Sequence, residues 1–115
     1  MTASGALRIA DANDAFRAAG AGAAAFDGGR WVMTRGVATL APEHLAAILR
    51  QVMTFNAFTH DNDPHGEHDF GSLVVDDRTF FWKIDYYADS TMTYGAEAPA
   101  VACYRVLTVM FADEY

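Results

Sequence analysis

The stretch FGSLVVDDRTFFWKIDYY, Phe70 to Tyr87, decides the fold. Two runs rich in Val, Phe, Trp, Ile and Tyr, Phe70 to Val75 and Arg78 to Tyr87, flank Asp76-Asp77. That pattern predicts a β-hairpin with a two-residue turn, although the glycine such turns favour is absent. In the second run Phe80, Trp82, Ile84 and Tyr86 alternate with Phe81, Lys83, Asp85 and Tyr87. One face of the strand is therefore apolar, and the other carries a lysine and an aspartate two residues apart. The offset brings the two charges together, as an exposed pair worth only about 0.2 to 1 kcal/mol.

Working outward, Pro42 suits the first turn of a helix, Glu43 complements its positive end, and Leu45, Ile48, Leu49, Val52 and Phe55 share one face. A helix is predicted from Pro42 to about Thr54. Before it, Arg30 to Thr34 reads as a short strand after the turn residues Asp27-Gly28-Gly29. Ala6 to Ala19 reads as a helix with a thin stripe of Ile9, Ala12, Phe16 and Ala19, Ser4 as its N-cap and Gly20 as its stop. After a loop from Ala88 to Ala98, Pro99 opens a last element running through Tyr104, Arg105 and Leu107 to Met110 and Phe111. Helix is the expectation there, with a strand as the alternative because Val101, Val106, Thr108 and Val109 are β-branched. The sum is one compact α+β domain over residues 1–115: a small antiparallel sheet of three or so strands covered by two to three helices.

The composition agrees with a single domain. The 115 residues are 52% apolar and 13% aromatic, enough to build a core. Fifteen acids against eight bases leave a net charge of −7, the wrong sign for coating nucleic acid or anionic lipid. The single cysteine, Cys103, closes no internal disulfide, and Arg8, Asp11, Asp14 and Arg17 break the alanine-rich start, against a signal peptide or membrane span. A cytoplasmic protein with no direct nucleic-acid or membrane partner is expected.

The charge is concentrated. From Asp61 to Asp77 there are six acids (Asp61, Asp63, Glu67, Asp69, Asp76, Asp77) and no lysine or arginine, with His60, His65 and His68 in or beside the same stretch. Pro64 and Gly66 forbid regular structure there. An EF-hand begins well with Asp61, Asp63 and Gly66 at positions one, three and six. It then fails, because position five is His65 and position twelve is Ser72. The histidines and carboxylates are donors that zinc, manganese or iron accept, and a metal would make Glu67 a candidate base for hydrolysis. Against that stands a mechanical reading: Asp61, Asn62, Asp63 and Asp69 cap turns, while Glu67 and His68 pin the loop to Arg35, Lys83 or Arg105. Cys103, between Ala102 and Tyr104, reads as packing rather than as a nucleophile. The glycines at 20, 22, 28 and 29 form no phosphate loop. The aromatic cluster around Phe80 to Tyr87 reads as core on its inward side and as an anchor for a protein partner on its outward side.

The strings NDPHGEHDFG (Asn62 to Gly71), WKIDYY (Trp82 to Tyr87) and RVLTVMFADEY (Arg105 to Tyr115), in this order and at these separations, resemble a bacterial family, the domain of unknown function DUF3768. The resemblance runs from TRGV at Thr34 to Val37 through the C-terminal Glu-Tyr. It implies a small cargo protein of plasmids, prophages and other mobile elements, with an accessory role against host defence. Asn62, Asp63, Gly66, Glu67, His68, Asp69, Lys83 and Asp85 match the family pattern. Three places depart from it: His65 stands where tyrosine is usual, Ala88 where aspartate is usual, and Tyr94 to Pro99 replaces a Gly-Ser-x-Asp-Pro-like loop. A metal site built on His65 would thus not be a family property.

The expectation drawn from these observations is a non-enzymatic inhibitor or adaptor, without cofactor or metal. It binds a protein partner with a basic surface, a host nuclease or CRISPR effector complex, by partial phosphate mimicry. Its binding residues are Asp61, Asn62, Asp63, Glu67, His68, Asp69, Asp76, Asp77, Lys83 and Asp85, and a homodimer is left open. The alternative is a metal-dependent hydrolase with Glu67, His68 and Asp69 as its site.

Overall fold

The computed structural model describes residues 5–24, 28–96 and 103–115, with first-helix side chains described from 9 to 22. The elements are α1 (Gly5–Ala24), β1 (Gly29–Met33), α2 (Arg35–Ala38), α3 (Pro42–Thr54), β2 (Phe70–Val75), β3 (Arg78–Tyr87), β4 (Tyr104–Phe111) and a closing 3₁₀ turn, Ala112–Glu114. Four strands form one sheet in the order β1-β4-β3-β2. β2 and β4 run antiparallel to β3, whereas β1 lies parallel to β4, from Gly29 opposite Arg105 to Met33 opposite Val109. The α+β class stands, and the sheet is four-stranded and mixed rather than purely antiparallel.

The hairpin forms as its alternation dictates. Phe80, Trp82 and Ile84 are buried on the face that α1 and α3 cover, together with Leu107, Val109 and Phe111 of β4, Leu73 of β2, and Ile48 and Val52 of α3. Asp76 and Asp77 both take positive φ, 52° and 63°, the backbone of a type I′ turn whose twist matches the strands. Aspartate tolerates that region at modest cost, so glycine is not required. Opposite the helices the sheet shows Phe70, Phe81, Lys83, Asp85, Tyr87, Val106, Thr108 and Met110, the alternate residues of the same strands.

The last element is a strand, not a helix. β4 lies between β1 and β3 and is buried on both faces, so its residues read as a near-continuous apolar run with β-branched members. Pro99, expected to open it, lies outside the described residues, as do Ser4, the expected N-cap, and Asp27. The first helix does break at Gly20, at φ 84° and ψ 172°, but helical structure resumes beyond it to Ala24. α2, a single turn with Val37 buried, carries no periodicity long enough to announce it.

Candidate functional site

Between α3 and β2 the chain makes an irregular loop that fastens itself. The Asn62 Oδ1 accepts from the Thr59 backbone N–H at 2.8 Å, and its Nδ2 donates to the Ala57 carbonyl at 2.9 Å. Asp63, with a side chain only 8% exposed, accepts from the backbone N–H groups of Glu67 and His68, at 3.2 Å each to its nearer oxygen. These are Asx-type closures of the kind Asn and Asp provide in tight loops. Gly66 and His68 stand at φ 65° and 57°, which reverses the chain before it enters β2.

The loop is clasped to α1 by a buried polar network. Asn13, fully buried, donates from Nδ2 to the Glu67 carbonyl at 2.9 Å and to the Tyr86 hydroxyl at 2.8 Å, and its Oδ1 accepts from Arg105 Nε at 2.6 Å. One turn further along α1, Arg17 is 3% exposed. Its Nη1 donates to the carbonyls of Val52 and Phe55 at 2.8 and 2.9 Å, capping the end of α3, and its Nη2 pairs with Asp14 at 2.8 Å. The guanidinium also lies 4.7 Å from the Trp82 ring and 5.4 Å from Phe58. Burial draws the Arg17 pKa down from its ordinary value, and Asp14 opposes that shift.

His68 completes the clasp. Its ring stacks on Phe58 at 3.9 Å, Nδ1 meets Asp14 at 2.9 Å, and Nε2 lies 3.7 Å from Asp63. With a carboxylate at each nitrogen, the imidazole joins loop to helix. Asp69 accepts from the Tyr86 hydroxyl at 3.3 Å, and burial raises its pKa above the usual carboxylate range. Burial likewise holds the Tyr86 hydroxyl far above its ordinary value, so it stays a neutral donor. The mechanical reading of the loop holds for Asn62 and Asp63, which close its turns; Asp69 accepts from Tyr86 instead, Asp61 is exposed, and Glu67 and His68 meet Asn13 and Asp14 of α1 rather than the basic residues expected.

The ten residues singled out in the sequence fall into three places. Asp61, Asn62, Asp63, Glu67, His68 and Asp69 share the loop. Asp76 and Asp77 are exposed at the hairpin turn, where Asp76 meets His44 at 3.2 Å. Six strand residues separate the two groups, about 20 Å at the usual rise. Lys83 and Asp85 pair at 2.8 Å on the helix-free sheet face, and that hydrogen bond raises the lysine's pKa. They line a groove of about 550 Å³ with Tyr87, Met92, Thr108 and Tyr115. The acids of positions 61–77 therefore do not form one patch. Sequence reasoning missed Asn13, Asp14 and Arg17, although Ile9, Asn13, Phe16 and Arg17 fall at i, i+4, i+7 and i+8, the spacing of one buried face.

Among the described residues no three His, Cys, Asp or Glu side chains are grouped as metal ligands. None of the described helices is long and apolar enough to cross a membrane. What fold and site define is a small α+β domain whose loop residues Asn62, Asp63, His68 and Asp69 are committed to holding shape, with Asp76 and Asp77 exposed at the far end of β2. Residues 33–114 match the sequence model of the family described as Protein of unknown function (DUF3768), and the chain belongs to that family. The match takes in the loop, the hairpin and β4, while Asn13, Asp14 and Arg17 precede it. No curated protein and no solved structure matches the chain.

Proposed function

We propose that the protein is a non-enzymatic inhibitor or adaptor, borne on mobile elements, that binds a basic protein surface of a host nucleic-acid-processing complex such as a restriction nuclease or CRISPR effector. The observation that carries this reading is the division of labour in the loop. Asn62, Asp63, His68 and Asp69 spend their polar atoms on internal hydrogen bonds, while Asp61 stands in solvent and Glu67 is half-buried, with Asp76 and Asp77 exposed at the hairpin turn beyond β2. A loop held this way loses little conformational entropy when a partner docks. The net charge of −7 steers a basic partner toward it and resists anionic ones. The Lys83–Asp85 pair and its groove lie on another face and serve as a secondary contact.

The test is cleavage of DNA by purified restriction nucleases and CRISPR effector complexes, titrated with the protein. Wild type suppresses cleavage by its target. Replacing Asp61, Glu67, Asp76 and Asp77 together by lysine weakens that inhibition by about a hundredfold, a few kcal/mol of lost charge complementarity. Equal inhibition by the reversed protein rejects the acidic contact.

A further inference from the structure

β2 is an edge strand whose outer side has no partner among the described residues. In its pairing with β3, Ile84 N–H donates to the Asp69 carbonyl at 2.8 Å, which makes 69 and 84 a hydrogen-bonded pair. By the alternation of an antiparallel ladder, Gly71, Leu73 and Val75 then turn their backbone groups toward β3, while Phe70, Ser72 and Val74 turn theirs outward. Among the described residues nothing bonds those outward groups. Native edges of this kind are blunted by lysine, proline or a bulge. Phe-Gly-Ser-Leu-Val-Val has none of these, and Val74 is 59% exposed. The other edge, β1, is five residues long, carries Arg30 and runs through Thr34 into α2.

We infer that β2 accepts an added strand, an extended segment of a protein partner about six residues long whose middle is uncharged and whose two ends carry lysine or arginine. The inference rests on the basic-partner reading above and deepens it. Backbone pairing to Phe70, Ser72 and Val74 supplies the affinity. Glu67, three residues before the strand, and the exposed Asp76 and Asp77, directly after it, supply the selection for basic flanks. The same charges argue against a second copy of this chain. A copy added antiparallel about Ser72 would set Phe70 opposite Val74, but would also bring the Asp76-Asp77 turn of each chain to the loop end of the other, where Glu67 lies, acid near acid.

The experiment is a titration of ¹⁵N-labelled protein with the peptide acetyl-Lys-Lys-Thr-Val-Ser-Val-Thr-Val-Lys-Lys-amide, read by amide shifts and hydrogen exchange. Comparison peptides carry glutamate flanks, or the same sequence N-methylated at alternate residues. The result expected is slowed exchange at the Phe70, Ser72 and Val74 amides with binding weakened about tenfold or more by N-methylation, by glutamate flanks, and by Ser72→Pro, which deletes one outward donor. The methylated peptide decides the matter without a protein variant. Shifts confined to the 59–69 loop, with no protection at those three amides, overturn strand addition and leave the basic-partner reading standing. Equal binding of the glutamate-flanked peptide at the edge retains strand addition and overturns the basic-partner reading. Absence of all binding, or protection of the three amides in protein alone that dilution removes, overturns the inference, the latter because a second copy is then the occupant.

Discussion

Replacing Asn13 by alanine removes the three hydrogen bonds of a fully buried side chain in one change. Two are between neutral groups, to the Glu67 carbonyl and the Tyr86 hydroxyl, and one is from the charged Arg105. At about 1 kcal/mol for each neutral bond and about 1.5 to 3 kcal/mol for the charged one, the loss is about 3 to 5 kcal/mol. That is a large share of the roughly 5 to 15 kcal/mol that holds a domain folded. The assay is urea unfolding followed by tryptophan fluorescence, since Trp82 sits in the core against Arg17. With an m-value of about 1.5 kcal/mol/M, the midpoint falls by about 2 to 3 M while the slope stays unchanged. Exchange of the amides at 63–69 quickens in native buffer, because Asn13, with the His68–Asp14 pair, holds the loop to α1. Asn13→Asp, which keeps the acceptor for Arg105 but not the donors, falls between wild type and alanine. A loss under about 1 kcal/mol for Asn13→Ala would refute the reasoning, for it would mean that these groups find water as readily as they find one another.

Two further outcomes follow from individual positions. Asp69 has a raised pKa in the folded protein, so its ionisation costs stability as pH climbs through the usual carboxylate value, and the full cost is present above the folded one. Asp69→Asn, which still accepts from Tyr86, therefore melts at a higher temperature than wild type at pH 7 and at the same temperature near pH 3, by calorimetry across that range. At Gly71 an added methyl would run into the Trp82 indole, which is fully buried and has no room to retreat. Gly71→Ala costs about 1 to 3 kcal/mol by urea unfolding, the range for overpacking a core, and a neutral result would show that Trp82 is not held as described.

What could be read in the sequence was whatever rests on short-range pattern. The hairpin alternates, α3 carries its stripe behind Pro42, and Pro64 and Gly66 break the chain where the loop lies, so all three stand as expected. For β4 the sequence favours a helix and leaves the strand as the alternative, because Tyr104, Leu107 and Phe111 satisfy helical spacing as well as the two-faced burial of a central strand. Its parallel partner β1 begins at Gly29, opposite Arg105 and far off in sequence, so no local signal could decide between them. The site divides in the same way. The loop residues were found because Asn, Asp, Pro and Gly announce a turn locally. Their anchors were missed because Asn13 and Arg17 are polar letters on an alanine-rich helix. Only the tertiary fold brings the Glu67, Val52 and Phe55 carbonyls within their reach. The separation of Asp76 and Asp77 from the loop acids was legible in principle, since a six-residue strand fixes that distance. A count of charge per segment hides it.

The central claim is that this domain acts by occupying a partner and not by turning over a substrate. The measurement is the stoichiometry of inhibition: a fixed amount of the target nuclease titrated with the protein, with and without chelator, after short and long preincubation. The result expected is a linear loss of cleavage ending near one protein per target, the same at both times and after chelation of the protein stock, with Glu67→Gln weakening the affinity but keeping the one-to-one end point. Loss of cleavage that deepens with time at far less than one equivalent, and that vanishes with chelator or with Glu67→Gln, would contradict it and make the loop a catalytic centre.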